Sequence, residues 1–113
     1  MRMCVVIVAA IIALTTQTSA KEKTVLQGFG SATCGRFADL YRRDPKNAEQ
    51  WFYFWAQGFM SGLNVGAKNQ DLARDLSSMS IEDQMKQLRA YCDMHPLAEY
   101  FEAVAYLFGE LKQ

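Results

Sequence analysis

The sequence predicts an all-α fold, a small single-domain bundle of four to five short helices closed by one disulfide. Apolar residues recur three and four positions apart through most of residues 31–113, which is the helical period. No stretch alternates apolar and polar residues long enough to compete as a strand. Once an N-terminal export signal is set aside, two cysteines, Cys34 and Cys92, are left. In an oxidising compartment such a pair is normally bridged.

Residues 1–20 have the layout of a signal peptide. Arg2 precedes an apolar stretch of 11 residues, 4–14, and the segment closes with the small residues Thr18 and Ala20, which fits a cleavage site. The apolar stretch is too short to cross a bilayer core of about 30 Å. We therefore expect a periplasmic or secreted protein with no stable membrane anchor. Within it, residues 21–30 are predicted to be a flexible arm and residues 31–113 the helical domain.

Capping residues predict where the first two helices begin. Thr33 is a plausible N-cap, since apolar residues follow it on one helical face. Asp44 and Pro45 end that helix and begin the next, with Asp44 as N-cap and proline at the first helical position. The second helix is predicted over residues 45–63. A loop over 64–69 and an uncertain helical piece over 70–76 follow.

Ser80 and Pro96 predict the helix boundaries in the last third of the chain. Ser80 with Asp83 resembles a capping box, with aspartate in place of the usual glutamate. The helix that it opens is expected to end before Pro96, because the residue preceding a proline avoids helical dihedrals. Pro96 is then predicted to begin the final helix, whose apolar stripe comprises Leu97, Tyr100, Phe101, Val104, Ala105, Phe108 and Leu111.

A bridge between Cys34 and Cys92 is most simply a structural staple. The 58-residue separation would remove roughly 4 kcal/mol of entropy from the unfolded chain in the loop-closure model. Intermolecular pairing and a redox role are the alternatives. The lack of a C-x-x-C spacing argues against redox work.

The second helix is unusually aromatic. Five aromatic residues stand in a row at 51–55, so they cannot all face one core. The simplest interpretation is a central helix buried on most sides. The functional alternative is that some of these aromatic side chains bind a partner or an unfolded client, because aromatic side chains dominate interface energetics. The candidate protein-binding residues are Trp51, Phe52, Trp55 and Phe59.

Glycines recur every fourth position on the same helix, at 58, 62 and 66. Each interior glycine costs roughly 1 kcal/mol of helix stability relative to alanine. A close helix crossing at Gly58 and Gly62 would offset that cost, so these two are predicted to be helix-packing glycines. Gly66 more simply ends the helix.

No motif for chemistry stands out. His95, the lone histidine, precedes a proline and is most simply a surface corner residue. Further ligands for a metal are missing once the cysteines are bridged. Residues 21–113 carry 11 basic and 12 acidic residues, which gives no electrostatic reason for nucleic acid binding. We predict no catalytic residue, no metal and no cofactor. The expected partners are a protein, unfolded clients or a second copy in a homodimer.

Two segments around the cysteines resemble the HdeA/HdeB acid-stress chaperones. TCGRFADL (33–40) is similar to their T-C-x-x-F-x-x-L segment, and YCDMHP (91–96) to the Y-C-x-x-N-P form of HdeB. The resemblance implies a small helical periplasmic protein, often dimeric at neutral pH. Acid would loosen such a protein and expose apolar surface that holds unfolding clients until neutralisation.

The middle of the chain is similar to a different family. WAQGFMSGLN (55–64) resembles the G-Y-x-x-G segment of Tai-like immunity proteins of type VI secretion, and residues 79–96 resemble their S-x-x-Q…Y-L-x-x-H-P pattern. Those proteins are also small, periplasmic and helical. The resemblance implies neutralisation of a peptidoglycan amidase effector.

An acid trigger is the physical hypothesis that goes with the chaperone resemblance. The net charge of residues 21–113 moves from −1 at neutral pH to about +13 at pH 2, with His95 and the amino terminus counted. Protonation of Asp39, Asp44, Glu99 and Glu102 is expected to remove ion pairs and leave self-repulsion. Apolar surface carrying Trp51, Trp55 and Phe59 would then open.

Overall fold

The computed structural model describes residues 23–113 and confirms the predicted all-α class. Within this range no segment forms a strand. The four helices are α1 (Cys34–Arg43), α2 (Pro45–Gly66), α3 (Ile81–Met94) and α4 (Tyr100–Glu110), with 3-10 turns at Gly28–Ser31 and Gln70–Leu72. The predicted signal peptide, residues 1–20, lies outside the described residues.

The predicted helix starts are confirmed at three N-caps. The Thr33 and Ser80 side chains each accept a hydrogen bond from the backbone amide three residues later, both at 3.1 Å. The Asp44 carboxylate does the same for Asn47 and opens α2. Because such caps satisfy helix amides that otherwise lack a partner, the local sequence is enough to place them.

The far end of α2 lies three residues beyond the predicted 63. The Asn64 side chain, in the last turn, binds both backbone groups of Arg74, its amide oxygen accepting from N and its amide nitrogen donating to O, each at 2.8 Å. This long-range pairing supports the extra turn. Helical residues therefore replace the beginning of the loop expected at 64–69.

The predicted start of the last helix is wrong. The helix α4 begins at Tyr100, and residues 96–98 instead run alongside the start of α1. There the amides of Cys34 and Gly35 donate to the carbonyls of Ala98 and Pro96, at 2.8 and 2.9 Å. The first turn of α1 needs such acceptors. Residues 96–98 supply them from a turn, in which the Ala98 amide donates to the His95 carbonyl at 3.1 Å. Leu97 is consequently 93% exposed and does not belong to the apolar stripe.

The predicted disulfide between Cys34 and Cys92 is confirmed, with Cα atoms 4.7 Å apart. It joins the first turn of α1 to the last turn of α3. Both cysteines are buried in the core. The pairing within one chain favours the staple interpretation over intermolecular pairing or redox work.

Aromatic rings fill the centre of the core. The rings of Phe37, Phe52 and Tyr100 lie against one another, with centroids 4.4 to 5.5 Å apart, in the tilted and edge-on arrangements that aromatic pairs prefer. Burial raises the pKa of Tyr100 well above its usual range. The cluster joins α1, α2 and α4.

The predicted helix crossing at Gly58 and Gly62 is wrong for this chain. Both glycines are exposed, and a Cβ built on either would meet nothing within 4 Å. The small residues on the inner side of α2 are Ala48 and Ala56, both buried. The α2 helix therefore packs against the other helices through these alanines, and its glycines face solvent.

The predicted flexible arm also needs a correction at its end. Residues 28–30 belong to the first 3-10 turn, and Gly30 is buried against the indole of Trp55. Residues 23–27 have no regular secondary structure. The folded domain therefore begins at Gly28 rather than at residue 31. No helix in the part of the chain described is long and apolar enough to span a membrane.

Candidate protein-binding surface

The largest helix presents an apolar side to solvent. We call this side the α2 outer face and define it by Trp51, Phe54, Gly58, Gly62 and Val65. These positions are three or four residues apart, so they line one side of a helix. The side chains of Trp51, Phe54 and Val65 are 47%, 61% and 88% exposed. Aromatic and aliphatic groups are thus available to a partner along the length of α2.

No charge interrupts the α2 outer face. Residues 50–67 contain no Asp, Glu, Lys, Arg or His. A helix on the surface of a bundle normally turns charged and polar residues to water. Exposed apolar side chains with no charge between them are typical of interaction sites. The face is therefore suited to a partner that also presents apolar surface.

The first 3-10 turn extends this surface at one end. The Phe29 ring stacks on Trp51, with centroids 6.3 Å apart and planes only 6° from parallel. The Phe29 ring also packs in a tilted arrangement against Phe52, with ring centroids 4.7 Å apart. Phe29 is 37% exposed, so it adds to the apolar area beside Trp51. Its backbone position depends on the turn at Gly28–Ser31.

The four predicted partner-binding residues differ in exposure. Trp51 is exposed, although the acid-trigger hypothesis expects it to be covered at neutral pH, and Phe52 is fully buried and inaccessible to a partner in this folded state. Trp55 and Phe59 are half-buried and stack on each other at 5.0 Å. The Trp55 indole N–H donates to the carbonyl of Gln27 at 3.0 Å. Trp55 therefore holds the N-terminal turn rather than a partner.

Sequence reasoning missed Phe54 and Val65. Neither residue is among the four candidate protein-binding residues that the aromatic run predicts. A helical projection centred on the glycines would have found both, because 54 and 65 lie on the same side as 58 and 62. The obstacle was the assumption that the glycines face the core.

A second apolar surface lies between α3 and α4. This groove, about 420 Å³ in volume, is lined by Gln87, Ala90, Tyr91, Met94, His95 and Tyr106. Tyr91 stacks on His95 at 4.2 Å, and its carbonyl lies 2.8 Å from His95 Nδ1. The Gln87 amide oxygen is buried without a hydrogen-bond partner.

Ion pairs do not hold the helices together in the described region. Two ion pairs form, Arg42 with Asp39 in α1 and Lys86 with Glu82 in α3. Each pair is exposed and lies within a single helix. Such surface pairs contribute little to stability. Of the four carboxylates expected to lose ion pairs in acid, only Asp39 is in one.

The other carboxylates of that set lie at helix caps. Asp44 caps α2 through Asn47. At the start of α4, the Glu102 carboxylate accepts from the amide of Glu99 at 2.8 Å. Both carboxylates therefore satisfy backbone amides at helix starts rather than pairing with a basic side chain.

Asp75 anchors the C-terminus. Hydrogen bonds from the Ser77 hydroxyl and backbone amide, at 2.6 and 2.9 Å, hold the pKa of the Asp75 carboxyl below its usual value. The Asp75 amide donates to the Lys112 carbonyl at 2.7 Å. The turn that this carboxylate organises thus ties the end of the chain to the loop before α3.

Between residues 23 and 113, no group of three or more His, Cys, Asp or Glu side chains could hold a metal ion. No protein-family model, curated protein or solved structure matches the chain. The two family resemblances therefore depend on sequence motifs alone. The two apolar surfaces are the structural features that bear on function.

Proposed function

We propose that the protein acts outside the cytoplasm by binding other proteins, as an HdeA/HdeB-like acid-stress chaperone. The α2 outer face carries this proposal. Its exposed aromatic side chains and its lack of charge suit unfolded segments, which present apolar groups without a fixed shape. The proposal assigns no catalytic residue and no cofactor.

Acid would enlarge the binding surface. Protonation of Asp75, whose pKa the Ser77 hydrogen bonds hold below its usual value, weakens the turn before α3. At the same time residues 21–113 move toward a net charge of about +13. Loss of that turn and the growing self-repulsion would loosen the bundle. The disulfide would keep α1 tied to α3. Phe52 and the core ring of Tyr100 would then join the exposed face.

The test is suppression of client aggregation. An acid-labile enzyme such as lactate dehydrogenase is incubated at pH 2 to 3 with the mature protein, and light scattering is followed through neutralisation. The proposal expects suppression by the wild type and at least a threefold loss of it in Phe54→Ser. Leu97→Ser, which removes an even more exposed apolar residue outside α2, is the matched control. No suppression by the wild type would exclude the chaperone function.

The groove between α3 and α4 favours a second candidate, a Tai-like immunity protein. It is present in the folded state and is largely apolar. A specific effector with a complementary apolar surface could fill it at neutral pH. The discriminating experiment is a pull-down from periplasm at pH 7. One stoichiometric partner, lost on Tyr106→Ser, supports immunity, whereas capture of many proteins only in acid supports the chaperone.

A further inference from the structure

Charge is unevenly divided along the chain. Residues 21–74, which include α1 and α2, carry 8 basic and 5 acidic residues, a net charge of +3. Residues 75–113, which include α3 and α4, carry 3 basic and 7 acidic residues, a net charge of −4 with His95 neutral. The helix α3 lies across the bundle from α2, because α1 and α4 each pack against both. The α2 outer face therefore belongs to the half of the chain whose net charge is positive.

Basic side chains stand at both ends of the α2 outer face, although residues 50–67 carry no charge. Before them, residues 42–49 include three basic side chains, all exposed, and two acidic ones. Of the acidic pair, Asp44 is held in its helix cap and Glu49 is half-buried. After them, Lys68 is exposed. An apolar surface between cations is the arrangement by which peripheral proteins contact anionic membranes.

We propose that the α2 outer face docks on the surface of an anionic phospholipid membrane. The helix lies in the plane of the membrane, with Trp51, Phe54 and Val65 at the boundary between headgroups and acyl chains. The flanking lysine and arginine side chains contact the lipid phosphates. Apolar burial and attraction to anionic lipid act together in this kind of interfacial binding. The contact is reversible, since α2 neither leaves the bundle nor crosses the bilayer.

The side chains of the face suit the boundary between lipid and water. Trp51 and Phe54 are 47% and 61% exposed, and tryptophan is enriched at membrane surfaces because its indole is apolar with one polar N–H. Phe29 stacks on Trp51 and widens this end of the face. Trp51 and Val65 are about 21 Å apart along the helix axis. The face therefore offers a long, narrow footprint that can lie parallel to the membrane.

The glycines of the face favour a fluid occupant over a rigid one. A Cβ at Gly58 or Gly62 would meet nothing within 4 Å, so the surface there is a shallow depression beside Phe54. A folded partner would need a protruding group of matching shape to fill it. A bilayer adjusts locally to the surface that it meets. Lipid therefore covers the large and the small residues of the face together.

The first test is flotation of the mature protein with lipid vesicles at pH 7. One set of vesicles contains equal amounts of phosphatidylglycerol and phosphatidylcholine, and the other contains phosphatidylcholine alone. The protein should bind the anionic vesicles at least tenfold more tightly, and about 0.5 M NaCl should remove most of that difference, because salt screens the contacts between basic side chains and lipid. No binding to the anionic vesicles, or equal binding to both sets, would overturn the proposal.

Matched variants test whether α2 makes the contact. Phe54→Ser should weaken binding to the anionic vesicles at least fivefold, because it removes an apolar side chain from the face. Tyr106→Ser, which removes an aromatic side chain of similar exposure from α4, should leave binding unchanged. The double variant Arg43→Gln and Lys46→Gln should also weaken it at least fivefold, since each basic side chain near an anionic surface contributes about that factor. Equal effects of Phe54→Ser and Tyr106→Ser would contradict docking through α2.

Trp51 reports the geometry of the contact. Lipids brominated near the headgroup quench the fluorescence of a tryptophan that enters the membrane. Quenching should be strong in the wild type and lost in Trp51→Phe, since the remaining Trp55 lies against Gly30 and the first 3-10 turn. Circular dichroism checks that the variant is folded. Quenching that persists unchanged in Trp51→Phe would place another part of the chain at the membrane and contradict the proposed face.

This inference concerns the folded protein at neutral pH and does not depend on chaperone activity. If the protein binds anionic vesicles but suppresses no aggregation, the membrane contact stands and the chaperone function is wrong. If it suppresses aggregation but binds no vesicles, the reverse holds. A protein that ignores vesicles and self-associates through Phe54 would assign the face to a second copy and overturn the membrane contact.

Discussion

Gly30 lies against the indole ring of Trp55 so closely that a Cβ at position 30 would overlap the six-membered ring. The same indole donates a hydrogen bond to Gln27 and stacks on Phe59, so it cannot move aside freely. One tryptophan thus fixes the first 3-10 turn, and with it Phe29, on α2.

This contact predicts that Gly30→Ala destabilises the fold. Inserting a methyl group against a rigid ring should cost about 1 to 3 kcal/mol, in line with other overpacked sites. Chemical denaturation measures the loss. Gly109→Ala is the control, since open space surrounds that position and alanine favours a helix. Equal stability of the two variants would contradict the contact.

The disulfide predicts a large effect of reduction. Replacing Cys34 and Cys92 together by alanine should lower the free energy of unfolding by about 2 to 5 kcal/mol. Thermal melts of the oxidised wild type, the reduced wild type and the double variant would measure it. The last two should melt at similar temperatures. If the reduced protein is as stable as the oxidised one, the disulfide does not stabilise the fold and the staple interpretation is wrong.

A buried hydrogen bond joins α2 to α3 and predicts the effect of Tyr53→Phe. The Tyr53 hydroxyl donates to the Gln84 side-chain oxygen at 3.0 Å, while the Gln84 amide nitrogen donates to the carbonyls of Leu76 and Met79. Losing the hydroxyl leaves the Gln84 oxygen unpaired. The variant should lose about 1 to 3 kcal/mol of stability by chemical denaturation. Tyr106→Phe, at an exposed tyrosine, should change little.

Asp75 predicts part of the acid response. Its pKa is lower in the folded protein than its ordinary value near 3.8. The carboxylate therefore contributes stability above that value, and the contribution is lost as the pH falls through the lowered pKa. Asp75→Asn should be less stable than the wild type at pH 7, and the difference should shrink below pH 3. Denaturation at several pH values measures it, with Asp93→Asn, an exposed carboxylate on α3, as control. A gap that widens in acid would contradict the predicted sign.

Most of the fold could be predicted because its signals are local. A cap such as Thr33 or Ser80 bonds an amide three residues away, and a helical face depends only on spacing. The cysteine pair needed one further premise, an oxidising compartment. The start of α4 could not be predicted, since residues 96–98 pair with α1 and that pairing joins segments distant in sequence.

The candidate surface was predicted less well. Composition alone identified α2 as the aromatic helix, but the sequence did not indicate which of its sides the other helices cover. Burial depends on how α1, α4 and the first 3-10 turn pack around α2. That packing placed Phe52 inside, left Phe54 in solvent, and turned Gly58 and Gly62 outward.

Helix type, helix caps and the pairing of Cys34 with Cys92 were set by residues near one another or by simple counting. The exposure of each side chain was decided only by tertiary packing, because a side chain is buried by neighbours from other helices. The proposed function depends on that second kind of information, since the α2 outer face exists only where the bundle leaves one side of a helix uncovered.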